Sequence, residues 1–211
     1  MRAQEQDETA RALWREKAAL WEPRDLVFLD ECGVNTTLHR THGRAPKGER
    51  LGERRASGGR CAAQLENQHH RHNTTVIGAL SLDEAAPWQA MPLEGACDAL
   101  VFEAFIEQVL VPTLRPGQIV ILDNLNVHKS AKARALVEKA GCAWEFLPTY
   151  SPDFNPIEMM WSKIKAHLRA LAARTQDELE AAITKALFTV TTQDAKGWFK
   201  HAGYTQIAQP L

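Results

Sequence analysis

The sequence predicts an α/β fold in which a mixed β-sheet is flanked by α-helices. Two short apolar runs, LVFLD and IVILD, have the composition of strands covered on both faces, and each ends in an aspartate. Elsewhere, apolar side chains recur every three to four residues, as in amphipathic helices. Strands come first along the chain and then alternate with helices, an order that favours a mixed sheet with helices packed on it.

The first half of the chain is predicted to hold an N-terminal helix and the first strands. Residues 3–20 are charged and helix-favouring, and the helix should stop near Pro23, because proline disfavours helical geometry in the residue before it. The pattern then predicts a strand at 26–30, an edge hairpin at 36–50, a Gly-, Arg- and His-rich loop at 51–73 and a strand at 74–82.

The second half of the chain alternates helices with strands. In order, the pattern predicts a helix with an apolar stripe over 101–110, a strand at 119–123, a helix capped by Ser130 and ended by Gly141, a strand at 143–147 and a helix from about Ile157. Thr175 and Glu178 form a capping-box pattern, which predicts the start of a final long helix.

Composition indicates one globular domain with appendages. The chain has 211 residues, of which 45% are hydrophobic and 24% charged, as in ordinary soluble proteins. Its four cysteines form no CxxC pair, so neither a disulfide framework nor a zinc ribbon is indicated. No apolar run reaches the ~18 residues of a membrane span, and the N-terminus is charged where a signal peptide would be apolar. An intracellular protein without a membrane partner is expected.

Basic residues are concentrated in two zones, although the whole chain has a formal net charge of −1. Residues 39–72 contain eight Lys or Arg against three Glu, together with five of the eight histidines. The stretch after Glu158 adds four basic residues and no acid as far as Arg174. Because phosphate backbones respond to local patches of charge, these two zones predict DNA as a partner.

Three carboxylates are candidates for metal chemistry. An aspartate at the end of a central strand projects into the crevice beyond the sheet, and the pattern gives Asp30 and Asp123 that position. Glu158 falls in the first turn of its helix, where the helix dipole favours a negative charge. Carboxylates of this kind hold the two divalent ions that catalyse phosphodiester cleavage. Taken singly, each has another interpretation: the aspartates as turn formers and Glu158 as a dipole partner.

Three motifs that stand in order along the chain carry a family resemblance. They are FLDECGV, ILDNLNVHKS and SPDFNPIEMMW, and thirty-four residues separate Asp123 from Glu158. Together with GRAPKGER, VIGALSLD and WFKHAGY, they resemble the catalytic core of DDE transposases of the mariner-like bacterial insertion-sequence group. The resemblance extends over roughly residues 26–204, apart from part of 51–73.

The resemblance implies a ribonuclease-H-like fold and two Mg²⁺ or Mn²⁺ ions held by Asp30, Asp123 and Glu158. It implies hydrolysis of DNA at the ends of a transposable element. The freed 3′-hydroxyl then attacks target DNA, commonly at a TA dinucleotide in this family. It also implies a homodimer in the active complex, so that the expected partners are element-end DNA, target DNA and a second copy of the chain.

Further residues are predicted to assist. Asn124 and His128 match family positions, where they orient bound water or contact DNA, although Asn is also a common turn residue. Glu31 also matches the family; it should point away from Asp30, because neighbouring residues on a strand face opposite sides, and a supporting role is expected. The candidate contacts to DNA phosphates are Arg54, Arg55, Arg60, Lys163, Lys165 and Arg169. The alternative is that these basic residues only form a solvated surface.

The Pro-rich turn PTYSPDFNP is expected to deliver Glu158 to the cleft. Its residues are predicted to have a structural role in forming the turn, with Asp153 capping it locally. This assignment predicts no direct part in the chemistry for the turn itself.

The sequence divides into an arm, a domain and a tail. Residues 1–24 are interpreted as a helical linker or arm remnant, 25–205 as the DDE transposase catalytic domain with a basic His/Arg-rich loop at about 51–73, and 206–211 as a tail. Family members carry N-terminal helix-turn-helix modules, and only some 25 residues precede the first strand here. This leaves three interpretations: the downstream product of a split transposase with a separate helix-turn-helix partner, a truncated relic, or a shortened piece of a longer protein. The chain is expected to act in the cytoplasm at the nucleoid.

Two other functions remain open on the sequence alone. One is a catalytically decayed transposase fragment that binds DNA without turnover, and the other is a stand-alone nuclease of ribonuclease-H-like fold. The intact trio of carboxylates favours an active enzyme over the decayed fragment. The family-like stretch through WFKHAGY, which a generic nuclease would not need, favours a transposase over the nuclease.

Overall fold

A computed structural model describes residues 7–38, 73–84 and 86–205. Its strands are β1 Leu26–Asn35, β2 Asn73–Leu80, β3 Trp88–Glu94, β4 Ile119–Leu122 and β5 Ala143–Phe146. They form one sheet in the order β3-β2-β1-β4-β5. Strand β2 runs antiparallel to both of its neighbours, β1 and β3, whereas β1, β4 and β5 run parallel to one another. The predicted mixed sheet is confirmed.

Strand β1 is longer than predicted, because its two neighbours end at different places. The sequence predicted a strand that stops at Asp30, but β1 continues to Asn35. Its parallel pairing with β4 ends at Phe28, whereas its antiparallel pairing with β2 extends to Asn35. Asp30 therefore lies within the strand, just past the point where its β4 neighbour stops. Because β4 stops while β1 continues, a crevice opens beyond the end of β4.

Strand β3 was not predicted. It pairs with β2 along one side and forms one edge of the sheet as far as the chain is described. Its sequence, WQAMPLE, contains Pro92, which lacks the backbone N–H of a central strand and is tolerated at an edge. The edge hairpin predicted at 36–50 and the basic loop predicted at 51–73 fall almost wholly outside the described residues, as does the predicted tail.

The helices are α1 Glu8–Ala18, α2 Ala99–Phe105, α3 Ala131–Lys139, α4 Ile157–Leu171, α5 Gln176–Leu187 and α6 Thr192–His201. The predicted caps are confirmed: Ser130 caps α3, and Thr175 with Glu178 forms a capping box on α5. The prediction of one final long helix is wrong. A second capping box, Thr191 with Asp194, starts α6, and the β-branched run of Thr and Val before it disfavours continuation of α5.

The helices cover both faces of the sheet. On one face, Trp161 of α4 and Phe199 of α6 pack against Phe28 of β1. On the other face, Phe102 of α2 packs against Leu29, the next residue of β1. Because side chains alternate along a strand, Asp30 shares the α4 side with Phe28, and Glu31 shares the α2 side with Leu29. None of the helices in the described ranges has the length and apolar character that crossing a membrane requires.

Helix α1, which lies in the predicted N-terminal arm, packs on this core. Trp14 is buried in the α4-side cluster, and its indole Nε1 donates to the Tyr204 hydroxyl at 3.1 Å. Arg11 is also buried: its guanidinium donates to Ser151 Oγ at 2.7 Å and to both carboxylate oxygens of Asp153 at 3.0 and 2.7 Å. The helix thus braces the turn that precedes α4.

We expect Arg11→Met to lower the free energy of unfolding by about 1 to 3 kcal/mol, because it removes charge-assisted hydrogen bonds from a buried position while keeping most of the side-chain volume. The expected loss of stability is smaller than for a fully buried ion pair, because the Asp153 carboxylate is 54% exposed and solvent screens its charge. Urea denaturation measures it. The matched control is Arg24→Met, a change at an exposed arginine just before β1, and equal losses in both variants would contradict the bracing role of Arg11.

Candidate active site

Asp30 is held in a buried position beside the end of β4. Only 7% of its surface is exposed, and its Oδ2 accepts a hydrogen bond from the indole Nε1 of Trp161 at 3.2 Å. Burial is the main cause that raises the pKa of Asp30 to about 7, and the nearby carboxylates of Glu158, Asp123 and Glu31 raise it further. A carboxyl that is desolvated and repelled in this way favours a cation beside it.

Asp123 directly follows β4 and is fixed by a network of hydrogen bonds. Its Oδ1 accepts from the Leu125 backbone N–H at 3.0 Å and lies 2.6 Å from His128 Nδ1. Burial would raise the pKa of Asp123, but the hydrogen bonds from His128 and Leu125 outweigh it and hold the pKa below its usual value. Asp123 is therefore a stable anion with 40% of its side chain exposed.

His128 links Asp123 to Glu31. Its ring is fully buried, and its Nε2 lies 2.9 Å from both carboxylate oxygens of Glu31. Burial would lower the pKa of His128, but hydrogen bonds to Asp123 and Glu31 raise it to about 9, so the ring is cationic at neutral pH. The predicted alternative of DNA contact by His128 does not fit this burial. Glu31 faces the opposite side of the strand from Asp30 and contacts His128, which in turn contacts Asp123.

Glu158 is the second residue of α4 and is exposed to solvent. The helix begins after the turn Pro152–Phe154, and Glu158 N donates to the Asn155 carbonyl at 3.2 Å. The Pro-rich turn thus delivers Glu158 as predicted. Asp153, however, does not serve the predicted local capping role, because both of its carboxylate oxygens bind Arg11 of α1.

The three carboxylates line a single cavity of about 330 Å³. Asn124 lines it as well and donates through Nδ2 to the Leu147 carbonyl at 3.0 Å, which ties the loop after β4 to the end of β5. Tyr150 borders the cavity with 54% of its surface exposed and with a left-handed backbone, φ 56°. Such strained residues cluster at functional sites.

The donor set of this cavity fits a hard divalent cation. Carboxylate oxygens are the ligands that Mg²⁺ and Mn²⁺ prefer, and the pKa of Asp30 is raised by burial and by neighbouring negative charges. In the described ranges, no three His, Cys, Asp or Glu side chains already converge as a closed metal site. The residues therefore provide the right chemistry around an open cavity and not a preformed cage.

The predicted DNA-binding residues fall into three groups. Arg54, Arg55 and Arg60 lie outside the described residues. Lys163 is engaged within the protein, because its Nζ donates to the Thr189 carbonyl at 2.8 Å and to Asp194 Oδ2 at 2.6 Å. This ion pair ties α4 to the start of α6 and replaces the predicted DNA contact with a structural one. Lys165 and Arg169 lie half-exposed on α4, downstream of Glu158.

Two residues at the site were not singled out from the sequence. Trp161 was assigned only to the buried face of its helix, yet it hydrogen-bonds Asp30. Gly78, opposite Asp30 in the β1–β2 pairing, adjoins the Trp161 ring. The signal for Trp161 was its spacing: three residues after Glu158 places it on the neighbouring turn of the same helix face.

The site thus consists of three carboxylates gathered around one cavity beside the end of a central strand of a mixed sheet. A family model described as "DDE superfamily endonuclease" matches residues 25–180, and the chain belongs to this family. The predicted family and fold are thereby confirmed. No curated protein sequence matches the chain.

Several solved structures share the fold at low sequence identity. The Mos1 transposase paired-end complex with left transposon end superposes with a TM-score of 0.60 at 15% identity, over 93% of this chain and 57% of that one. The catalytic domain of Mos1 mariner transposase gives 0.57 at 13% identity, over 93% and 87%. The mariner Mos1 paired end complex with Mg gives 0.58 at 12%, over 96% and 62%. The chain therefore spans little more than half of the transposase in the first complex.

Proposed function

We propose that this chain is the catalytic domain of a DNA transposase. It hydrolyses phosphodiester bonds at the ends of a transposable element and joins the freed 3′-hydroxyl to target DNA, with a TA dinucleotide as the preferred target. The observation that carries the proposal is the meeting of Asp30, Asp123 and Glu158 around one cavity in a member of an endonuclease family. The similar Mos1 complex with transposon end DNA is consistent with it.

Asp30, Asp123 and Glu158 would hold two Mg²⁺ or Mn²⁺ ions. When bound, the ions supply Lewis acidity at the scissile phosphate and at the attacking oxygen. Asp123 is the ligand with the most rigid support, because His128 and the Leu125 N–H fix its Oδ1. Asp30 contributes a buried carboxylate that is repelled by the neighbouring carboxylates, and a bound cation would relieve that repulsion. Glu158, exposed at the start of α4, completes the set.

The residues around the three carboxylates have two further roles, support of Asp123 and binding of DNA phosphates. Glu31 and His128 support Asp123 from the far side of the sheet, and Asn124 fixes the loop that carries it. Lys165 and Arg169 bind DNA phosphates along α4, and Arg54, Arg55 and Arg60 extend that contact. Phosphate contacts of this kind fix the position of the duplex without reading its sequence.

We propose that a separate helix-turn-helix partner reads the element ends and that two copies of the catalytic chain act together as a homodimer. The complex works in the cytoplasm at the nucleoid, where its DNA substrates lie.

The function is tested by incubating the purified chain with supercoiled plasmid and with a duplex that ends at a pre-nicked element end. We expect strand cleavage in Mn²⁺, weaker cleavage in Mg²⁺ and none in EDTA, because the carboxylates hold the ions that the reaction needs. Gel electrophoresis of labelled strands measures the product, and a 3′-hydroxyl terminus is the expected chemistry.

The same assay separates the other two functions. Cleavage of both substrates at equal rates, with no joining of the freed end to a second duplex, would indicate a stand-alone nuclease. DNA binding without any cleavage at high protein concentration, with the upstream partner present, would indicate a decayed fragment and would contradict the proposal.

A further inference from the structure

Trp161 lies across the pair of strands that carries Asp30. Its indole Nε1 donates to Asp30 Oδ2 at 3.2 Å, and the two side chains are 2% and 7% exposed. Asp30 pairs with Gly78 in the β1–β2 register. A Cβ on residue 78 would lie 2.8 Å from Trp161 Cη2, a separation that Cβ atoms do not tolerate. Glycine at 78 is therefore what allows the indole to reach the carboxylate.

This contact joins two of the carboxylates through one helix. Trp161 follows Glu158 by three residues on α4, so the two side chains stand on adjacent turns of the same face. The N-terminal turn of α4 thus presents Glu158 to the cavity, and its next turn restrains Asp30. A shift of α4 would therefore move Glu158 and change the hydrogen bond to Asp30 at the same time.

A simpler explanation is that Trp161 is a core residue whose buried N–H needs some acceptor, with Asp30 merely the nearest one. The two explanations differ in what removal of the N–H does. If Trp161 serves only the core, its replacement by phenylalanine lowers stability and leaves cation binding unchanged. If the hydrogen bond orients Asp30, the same replacement weakens cation binding at any temperature where the chain is folded.

We propose that Trp161 is a positioning residue for the cation site: its hydrogen bond to Asp30 Oδ2 restrains the carboxylate in the orientation that binds a divalent cation, and Gly78 provides the space for the indole. The proposal rests on the function proposed above, in which Asp30 is a cation ligand. Groups that orient ligands in this way typically change metal affinity by roughly 10- to 100-fold when they are lost.

The first test is Mn²⁺ binding to the full chain by isothermal titration calorimetry. Trp161→Phe, which keeps an aromatic ring and removes the donor, is expected to raise the Kd for Mn²⁺ at least tenfold. The Mn²⁺ concentration for half-maximal plasmid nicking should rise by the same factor, with much of the rate recovered at saturating Mn²⁺. The control is Trp144→Phe, the same change at a buried position in the α2-side cluster.

A second pair of variants tests the same geometry without altering Trp161. Gly78→Ala should displace the indole and weaken Mn²⁺ binding, whereas Gly33→Ala on β1 should not, because its new Cβ would meet nothing within 4 Å. Circular dichroism confirms the folded state of each variant before titration. If Trp161→Phe does not fold, Gly78→Ala decides the question.

The outcomes separate this inference from the proposed function. Unchanged Mn²⁺ affinity in folded Trp161→Phe or Gly78→Ala, together with loss of binding in Asp30→Asn, would overturn the positioning role and leave the cation site intact. Unchanged affinity in Asp30→Asn as well would overturn both. Weakened binding in Trp161→Phe and Gly78→Ala, with both controls at the wild-type value, is the result the inference predicts.

Discussion

Glu158→Gln is expected to lower the rate of Mn²⁺-dependent DNA cleavage by roughly 10³-fold or more while leaving the fold and the DNA affinity nearly unchanged. The amide keeps the size of the side chain and removes the charge that would hold the second ion. Several kcal/mol of transition-state stabilisation depend on that ion, and each 1.4 kcal/mol corresponds to about a factor of ten in rate. Single-turnover cleavage of a pre-nicked element end measures the effect.

Stability should hardly change, because Glu158 is exposed and no core contact depends on its charge. The matched control is Glu138→Gln, an exposed glutamate on α3 whose charge is engaged by Arg134. A loss confined to the chemical step, with unchanged DNA binding by fluorescence anisotropy, is the expected pattern. Cleavage by Glu158→Gln at the wild-type rate would remove this residue from the active site.

Short-range patterns predicted most of the elements that build the site. Strand composition located β1 and β4, and the caps at Ser130 and Thr175 gave the starts of two helices. The second capping box, Thr191 with Asp194, follows the same rule and could have been found by it. These features are local, because each depends on residues within one or two turns of chain.

The sequence could not show where neighbouring elements end relative to one another. Strand β1 outlasts the predicted end at Asp30 because β2, about forty residues later in the chain, continues to pair with it after β4 has stopped. Edge strand β3 has weak alternation and a proline, so its strand character depends on its pairing with β2. Both the end of β1 and the existence of β3 therefore depend on pairing with β2, which lies far away in the sequence or cannot be recognised from local pattern.

The site residues show the same division between local and long-range information. The prediction of the three carboxylates depended on two strand ends, the first turn of a helix and the family resemblance, all of which can be read along the sequence. The contacts of the residues around them depend instead on tertiary structure. His128 is buried because Phe102 of α2 packs on its ring, at 5.0 Å between ring centres. Lys163 faces Asp194 and not solvent because α6 folds back beside α4. Periodicity assigns a residue to a helix face but does not identify the element that will cover it.

We propose above that Asp30 and Asp123 bind divalent cations, and removal of their charges tests this directly. The variant Asp30→Asn/Asp123→Asn removes both charges, and Glu158 alone leaves too few anionic ligands for an ion that prefers several oxygens. In the absence of metal the two changes act in opposite directions, because Asp30→Asn removes a buried carboxylate that its neighbours repel, whereas Asp123→Asn removes the charge that pairs with buried His128. The Mn²⁺ response of each protein is therefore measured relative to its own stability without metal. The matched control for charge is Asp25→Asn/Asp177→Asn.

The most direct measurement is the change in unfolding free energy that Mn²⁺ produces in these three proteins. At about 100 times its Kd, a ligand that binds only the folded state stabilises it by about 2.7 kcal/mol per site. We predict a stabilisation of that order in wild type and in the Asp25→Asn/Asp177→Asn control, and none in Asp30→Asn/Asp123→Asn. The same Mn²⁺ response in all three proteins would contradict the assignment of the cation site.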